Sequence, residues 1–419
     1  MDPNLEQQLD TIVTAAGAGS RKLLALTTDE KNAALRAMAG GLRAESETIE
    51  AANADDMAAG KQAGLSVALL DRLLLTPDRI EAIAVALEEI ADLPDPVGSI
   101  LETIHRPNGL VIEKIRVPIG VLLIIYESRP NVTADAAALC FKAGNAVILR
   151  GGKEAIRSNR AILDAMIKPL ADGFPREAIQ LIPTTDREAV GALLQMAGRI
   201  DMVIPRGGEG LIRRVAESAR IPVLKHYKGV CHVYVDKNAD LDMALAIAVN
   251  AKCQRPGVCN AMETLLVHED VAAQFLPRFA EATGVFHVEL RGCAHTRGFL
   301  PHAKPAQDSD WDEEYLDMIC AVRVVASVEE AIAHIDAHGS QHSDAIVTDD
   351  AQAAERFSRE VDAATVYVNA STRFTDGAAF GKGAEIGIST DKLHARGPCG
   401  LEELTTYKYV IRGTGQVRG

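Results

Sequence analysis

Aromatic residues are scarce in this chain. Phe, Trp and Tyr make up 4% of its 419 residues, with a single Trp, so the core has to be built from Ala, Val, Ile and Leu. No apolar run reaches the ~20 residues that a membrane-spanning helix needs. The longest, Val117 to Tyr126, is broken by Pro118 and Gly120. Met1-Asp2-Pro3-Asn4 carries neither a basic segment nor an apolar stretch behind it, so no secretory leader and a cytoplasmic location are expected. Basic charge is in deficit: 44 Lys and Arg against 58 Asp and Glu leave a net charge of −14. That balance argues against a nucleic-acid partner or an anionic membrane surface, although a local basic pocket can still hold an anionic substrate. The seven cysteines (Cys140, Cys231, Cys253, Cys259, Cys293, Cys320 and Cys399) are odd in number and scattered. Such usage fits reduced thiols in a cytosol rather than a disulfide framework. Cys253 and Cys259 lack partner pairs at zinc-site spacing, and no metal is expected. Internal repeats and low-complexity segments are absent.

What is present reads as an ordinary globular composition, 47% hydrophobic and 24% charged, in a chain long enough for two or three domains. The first hundred residues are helical in pattern. Thr27-Thr28-Asp29 offers N-cap oxygens before Leu35, Met38, Leu42 and Ile49, and a second helical stretch ends at Leu93-Pro94-Asp95-Pro96. Ile100 to Glu113 then alternates apolar and polar residues around Pro107-Asn108-Gly109, a hairpin signal and a candidate arm for pairing with a neighbouring subunit. From Val121 to Ile204 strands and helices alternate, which predicts a parallel, doubly wound sheet with right-handed crossovers. A further α/β region runs from about Val230 to Ile388. The tail from Tyr407 to Val417 alternates again, as would a strand that extends a partner's sheet. The acidic run Asp308 to Glu314 reads as a solvated loop.

Ligands of doubly wound sheets bind beyond the carboxyl ends of the strands. One predicted strand end carries Arg150-Gly151-Gly152-Lys153, and another Arg206-Gly207-Gly208 before a helix. Glycine permits close backbone approach, and a helix N-terminus offers amide N–H groups to a phosphate. Neither segment matches GxGxxG, and a tight loop needing glycine has the same pattern. The cations Arg150 and Lys153 tip the balance, because a pair of cations beside a strand end suits the ribose 2′-phosphate of NADP.

The segment Gln254-Arg255-Pro256-Gly257-Val258-Cys259-Asn260-Ala261 places a cysteine on a Pro-Gly turn between a helix and a strand. A thiol reacts only when it is accessible and readily ionised, and a turn near backbone N–H groups favours both. An isolated cysteine is more often a small buried residue, so its surroundings decide. Pro118-Ile119-Gly120-Val121, Ala143-Gly144-Asn145-Ala146-Val147, Ala239-Asp240-Leu241-Asp242 and Gly257-x-Cys259 resemble the aldehyde dehydrogenase superfamily almost end to end. Longer stretches resemble its gamma-glutamyl phosphate reductase (glutamate-5-semialdehyde dehydrogenase) branch. They are Tyr126 to Thr133, Arg150 to Glu154, Cys253 to Glu263, Val368 to Phe374, and Gly383 through Pro398.

The resemblance implies an α/β, aldehyde dehydrogenase-like fold: a doubly wound cofactor domain, an α/β catalytic domain and a small β oligomerisation arm. Its expected boundaries are 1–98 and 118–228 for the NADP-binding domain, 229–403 for the catalytic domain, and 99–117 with 404–419 for the arm. It implies reduction of L-glutamyl 5-phosphate by NADPH to L-glutamate 5-semialdehyde and phosphate, in proline biosynthesis. It further implies a homo-oligomer with functional coupling to glutamate 5-kinase. By position Cys259 becomes the nucleophile and Asn131 an oxyanion donor, the latter after a two-residue shift against ordinary aldehyde dehydrogenases. Arg150 takes the place of a ribose-holding lysine, beside Gly151, Gly152 and Lys153, while Arg206, Gly207 and Gly208 face the pyrophosphate. Arg255, Arg373 and Arg396 are candidates for the substrate's carboxylate and phosphate, since guanidinium pairs well with both. Each could equally be a surface or ion-pair residue. Where hydrolytic relatives carry a glutamate that activates water, this chain has His226, which suits a reductase; it could donate a proton or contact phosphate, and a packed or capping histidine accounts for it equally well.

Two other functions stay open on the sequence. One is a hydrolytic, oxidising NAD(P)-dependent aldehyde dehydrogenase, against which the missing glutamate argues. The other is a silent scaffold of the same fold, against which the intact cysteine segment and cofactor loops argue.

Overall fold

The structure, a computed structural model, describes residues 2–418. The chain divides into two units. The first comprises the described residues up to Lys225, Lys382–Gly387 and those from Cys399 onward; the second comprises His226–Gly381 and Ile388–Pro398.

The first unit opens with five helices: α1 (Pro3–Leu23), α2 (Thr28–Ala44), α3 (Ser46–Gln62), α4 (Val67–Leu73) and α5 (Pro77–Asp92). Their starts follow from local chemistry. Thr27 and Glu30 form a reciprocal capping box on α2, and Thr76 caps α5 with Pro77 in its first turn. Two antiparallel strands follow, β1 (Ile100–His105) and β2 (Val111–Pro118), joined by the expected turn at 106–110. Then comes the winding region: β3 (Val121–Tyr126), α6 (Asn131–Lys142), β4 (Ala146–Arg150), α7 (Ile156–Ile167), β5 (Ile179–Leu181), α8 (Arg187–Leu193), β6 (Met202–Arg206) and α9 (Glu209–Ser218). The sheet is parallel throughout with order β5-β4-β3-β6, so the winding reverses between β3 and β6. All six side chains of β3 are buried, as a strand covered on both faces requires. Asn145 fixes the entry to this sheet, accepting from the Gly120 amide at 2.9 Å and donating to the Leu404 carbonyl at 2.8 Å.

In the second unit the strands are β7 (Cys231–Val235), β8 (Met262–His268), β9 (Glu289–Gly292), β10 (Lys304–Pro305), β11 (Ile319–Val325), β12 (Ser343–Val347) and β13 (Thr365–Val368). They form a parallel sheet of order β10-β9-β11-β8-β7-β12-β13. Helices α10 (Leu241–Cys253), α11 (Glu269–Gly284), α12 (Ala294–Phe299), α13 (Val328–His338) and α14 (Ala351–Glu360) connect them. One core packs α10 and α11 with β8 and β11 through Ala248, Phe275, Phe279, Leu265 and Val322. The acidic run is exposed at Asp308, Asp312 and Glu313, as a solvated loop requires, but not throughout. Asp310 is buried and accepts from Arg291 at 2.6 Å and Tyr315 at 2.9 Å, an ion pair that spacing along the chain does not announce.

Short strands β14 (Gly387–Ser389) and β15 (Gly397–Cys399) lie where the chain passes between the units, and β16 (Thr405–Arg412) follows. The tail strand pairs with its own chain: β16 runs antiparallel to β2 from Thr405↔Pro118 to Arg412↔Val111, giving a three-stranded sheet β1-β2-β16. The strand signalled by the alternation is present, but the sheet it extends is that of its own chain, not the partner's sheet that the sequence pattern suggests. No helix among the described residues is long and apolar enough to cross a membrane.

Candidate active site

Helix α10 starts where Asp240 accepts from the amides of Asp242 and Met243, and ends at Cys253. Strand β8 begins at Met262. The eight residues between them carry Cys259, and their ends are clamped. Lys252 and Glu263 form an ion pair at 2.6 Å with both side chains fully buried, and Glu263 also accepts from the Leu316 amide. Burial pushes the Glu263 carboxyl up to about 7 against the opposing pull of Lys252. The turn is further held by Asn260, whose amide donates to the Thr375 carbonyl at 2.7 Å while its own carbonyl accepts from Thr372.

Only Cys259 and Cys293 of the seven cysteines are not buried. Around Cys259 the second unit gathers His226 and His342, whose ring nitrogens lie with the Cys259 sulfur in one group, each pair within 4.8 Å. His226 donates Nδ1–H to the Ile388 carbonyl at 2.9 Å and meets His342 edge-on, ring centroids 5.5 Å apart. His342 is fully buried. Burial, with His226 adding repulsion, lowers its pKa to about 3, so it is neutral at ordinary pH. Beneath the turn, the buried Cys231 thiol lies 3.2 Å from the Cys259 carbonyl. Burial holds Cys231 well above the usual thiol range. Gly229 packs against the same peptide: a Cβ there would lie 1.9 Å from the Cys259 carbonyl oxygen. No side chain fits that space.

Of the three arginine candidates, Arg373 is half-buried and donates to Gln254 at 2.8 Å. Desolvation and the neighbouring Arg255 lower its pKa, while Asp376 and then Cys259 oppose that shift, so two cations, a carboxylate and the sulfur share one electrostatic neighbourhood. Arg255 is exposed. Arg396 instead grips Asp362 at 2.7 Å, and that carboxylate also pairs with Lys392. One carboxylate thus faces two cations, and the buried Arg396 Nε has no hydrogen-bond partner.

In the first unit, Arg150 ends β4 and Lys153 follows it. Arg150 donates to the Gly151 and Thr185 carbonyls, and its buried Nε has no partner; Lys153 is exposed. At the other strand end, Gly207 and Gly208 lie beside Glu127, which accepts from the Gly208 amide at 3.0 Å. A Cβ at Gly207 would sit 2.4 Å from the same carboxylate. These loops follow β3 and β6, where the winding reverses, the usual position of a nucleotide crevice. An exposed amide-rich loop before α9 and cations beyond β4 are the donor set that a phosphorylated dinucleotide requires. Asn131 opens α6 and donates to Asp135 at 2.9 Å; the surrounding protein pushes that carboxyl up to about 6.

Sequence reasoning missed His342, the Lys252–Glu263 clamp and Glu127. His342 stands in Gly339-Ser340-Gln341-His342-Ser343-Asp344, where no spacing links it to Cys259. Cys293 is the other accessible thiol. Burial alone would raise its pKa, but hydrogen bonds from Thr296 and nearby amides bring it below the usual thiol value. It has no histidine or arginine group like that around Cys259 among these contacts.

A thiol on a clamped turn, beside histidines and arginines, within a parallel α/β unit is what a cysteine-dependent dehydrogenase needs. The description "Aldehyde dehydrogenase family" matches residues 4–292. The chain is 58% identical over 416 residues to the gamma-glutamyl phosphate reductase of Moorella thermoacetica, covering 99% of this chain and all of that one. A solved gamma-glutamyl phosphate reductase from Thermotoga maritima superposes with a TM-score of 0.96 at 46% identity, covering 98% of this chain and 100% of the other. An acetylating aldehyde dehydrogenase from Geobacillus thermoglucosidasius shares the fold at a TM-score of 0.68 and 17% identity, covering 99% and 98%. The chain belongs to the aldehyde dehydrogenase family and, within it, to the gamma-glutamyl phosphate reductases. It is an oxidoreductase of the glutamate-5-semialdehyde dehydrogenase type.

Proposed function

We propose that the chain reduces L-glutamyl 5-phosphate to L-glutamate 5-semialdehyde and phosphate with NADPH, through a thioester on Cys259, as a step of proline biosynthesis. The observation that carries this reading is the Cys259 thiol, accessible on a clamped turn with His226, His342, Arg255 and Arg373 about it. The Cys259 thiolate attacks the acyl carbon; the bond from that carbon to the phosphate oxygen breaks, and phosphate leaves with the electron pair. NADPH, when bound, supplies the hydride that reduces the thioester. Collapse of the hemithioacetal expels the thiolate and releases the aldehyde. Dividing the substitution in this way replaces one hard step with easier ones. Arg255 and Arg373 hold the anionic ends of the substrate, with Arg396 left to its ion pair. His226 serves as proton donor or phosphate contact. Asn131 and the Cys259 amide donate to the oxyanion, and removal of one such donor costs ~10²–10³ in rate. Arg150, Gly151, Gly152, Lys153, Arg206, Gly207 and Gly208 hold the cofactor. No carboxylate stands at the His226 position to activate water against the thioester.

On the same reading, residues 1–98 and 118–228 bind NADP, 229–403 carry the chemistry, and 99–117 with 404–419 form an oligomerisation arm. The exposure of Ile100, Tyr407, Tyr409 and Ile411 on the small sheet supports the last assignment. A homo-oligomer follows, to be read by light scattering, and so does coupling to the kinase that makes the labile acyl phosphate. The decisive assay is NADP reduction by glutamate 5-semialdehyde with and without inorganic phosphate. A strict phosphate requirement is expected; phosphate-independent turnover would indicate hydrolysis and overturn the proposal.

A further inference from the structure

Three side chains able to give a lone pair to a soft cation converge in the second unit, from positions 226, 259 and 342. Their donor atoms, two imidazole nitrogens and one sulfur, all lie within 4.8 Å of one another. A tetrahedral zinc ion with bonds of ~2.0–2.3 Å needs donors roughly 3.3–3.8 Å apart, a closure of about 1 Å from the widest separation. Both rings are already oriented by their second nitrogens. His226 Nδ1 is bonded to the Ile388 carbonyl, which puts the lone pair of the neutral ring on Nε2. His342 Nδ1 lies 2.9 Å from Ser343 Oγ, itself bonded to Thr365 and Thr375 at 2.7 Å, and 3.7 Å from the Cys231 sulfur. Outer partners of this kind orient a metal-binding histidine, and a proton on Nδ1 leaves the Nε2 lone pair to the metal. A separate observation points at a ligand: His342 Nε2 is fully buried and has no hydrogen-bond partner.

We propose that His226, Cys259 and His342 form a zinc site whose occupation reversibly shuts off the nucleophile. The site goes beyond the catalytic reading, and only its inhibitory effect rests on that reading. Binding breaks the Cys259 S–H bond, releases the proton to solvent and forms an S–Zn bond without any change of oxidation state. Two nitrogens and a sulfur select zinc over magnesium or calcium, which take oxygen ligands. Half-burial of Cys259 and His226 leaves the fourth position to water, as in an open zinc site. Zinc and the acyl substrate then compete for one sulfur.

The test uses the full chain with ZnCl2 and, as a spectroscopic probe, CoCl2. The expected result is one metal per chain, a cobalt–thiolate charge-transfer band, protection of Cys259 from iodoacetamide, and reversal of all three by EDTA. His342→Ala should weaken binding at least tenfold, Cys259→Ser should abolish the band, and Cys293→Ser should change neither. If His342→Ala does not fold, His226→Ala at its half-buried position gives the same readout. Absence of stoichiometric binding, or binding indifferent to Cys259→Ser and to the histidine variant, overturns the site. Binding with the thiolate band but without inhibition supports the site and counts against Cys259 as the catalytic nucleophile.

Discussion

Lys252 and Glu263 form a fully buried ion pair, 2.6 Å apart, that joins the last turn of α10 to the first residues of β8 and so closes the base of the turn carrying Cys259. Removing one partner leaves a buried charge uncompensated, which costs about 3–5 kcal/mol, whereas replacing both with apolar residues of similar volume is often neutral or better. Glu263→Gln or Lys252→Met should therefore each lower stability by that amount in urea unfolding. The double variant Lys252→Met/Glu263→Leu should recover most of it. Single variants that unfold like the parent would show that the pair does not hold the turn.

Gly229 tests the turn from the opposite side. Its Cα faces the Cys259 peptide so closely that any side chain must displace it. A displacement near 1 Å at a reacting group costs on the order of 10²-fold in rate. Gly229→Ala is expected to lower kcat by about that factor while far-ultraviolet circular dichroism stays unchanged. Full activity would mean that the Cys259 backbone position is not critical.

Acid stability should report two buried histidines. His334 is lowered to about 2 by burial and by the nearby charges of His232, His338 and Arg323, and His342 to about 3 by burial and His226. Both native values lie below the unfolded value near 6.5, so the unfolded chain binds more protons as pH falls. The stability these neutral rings contribute is present above about pH 6.5 and is lost on acidification toward pH 3. Each adds a slope of ~1.4 kcal/mol per pH unit in that window. His334→Asn, whose side-chain oxygen can take the Arg323 contact made by Nδ1, should flatten the acid limb of a pH–stability curve. An unchanged limb would contradict the assignment.

Cofactor choice should depend on the cations after β4. Charge-assisted hydrogen bonds are worth ~1.5–3 kcal/mol each, so Arg150→Ala or Lys153→Ala should raise KM for NADPH roughly 10–100-fold. KM for NADH should move far less. Equal effects on both would place these side chains away from the 2′-phosphate.

Most of the first unit was legible because its signals are local. The buried run Val121–Tyr126, the Asn108-Gly109 turn and the Thr27/Glu30 cap each lie within one element, and the strands and helices fall where periodicity put them. What escaped depends on contacts between distant segments. His342 comes to Cys259 from the position just before β12, and Asp310 meets Arg291 of β9 from a turn beyond β10. Arg396 looked equivalent to Arg373 in sequence; only folding shows Asp362 beside one and not the other. The self-pairing of β16 with β2 is likewise a matter of chain path, since an alternating strand signal does not name its partner.

The covalent role of Cys259 is tested most directly by rapid mixing of the enzyme with NADP and glutamate 5-semialdehyde in the absence of phosphate. The account predicts a burst of NADPH equal to one per active site, then arrest until phosphate is added, and no burst from Cys259→Ser. Sustained turnover without phosphate, or a full burst from Cys259→Ser, would contradict it.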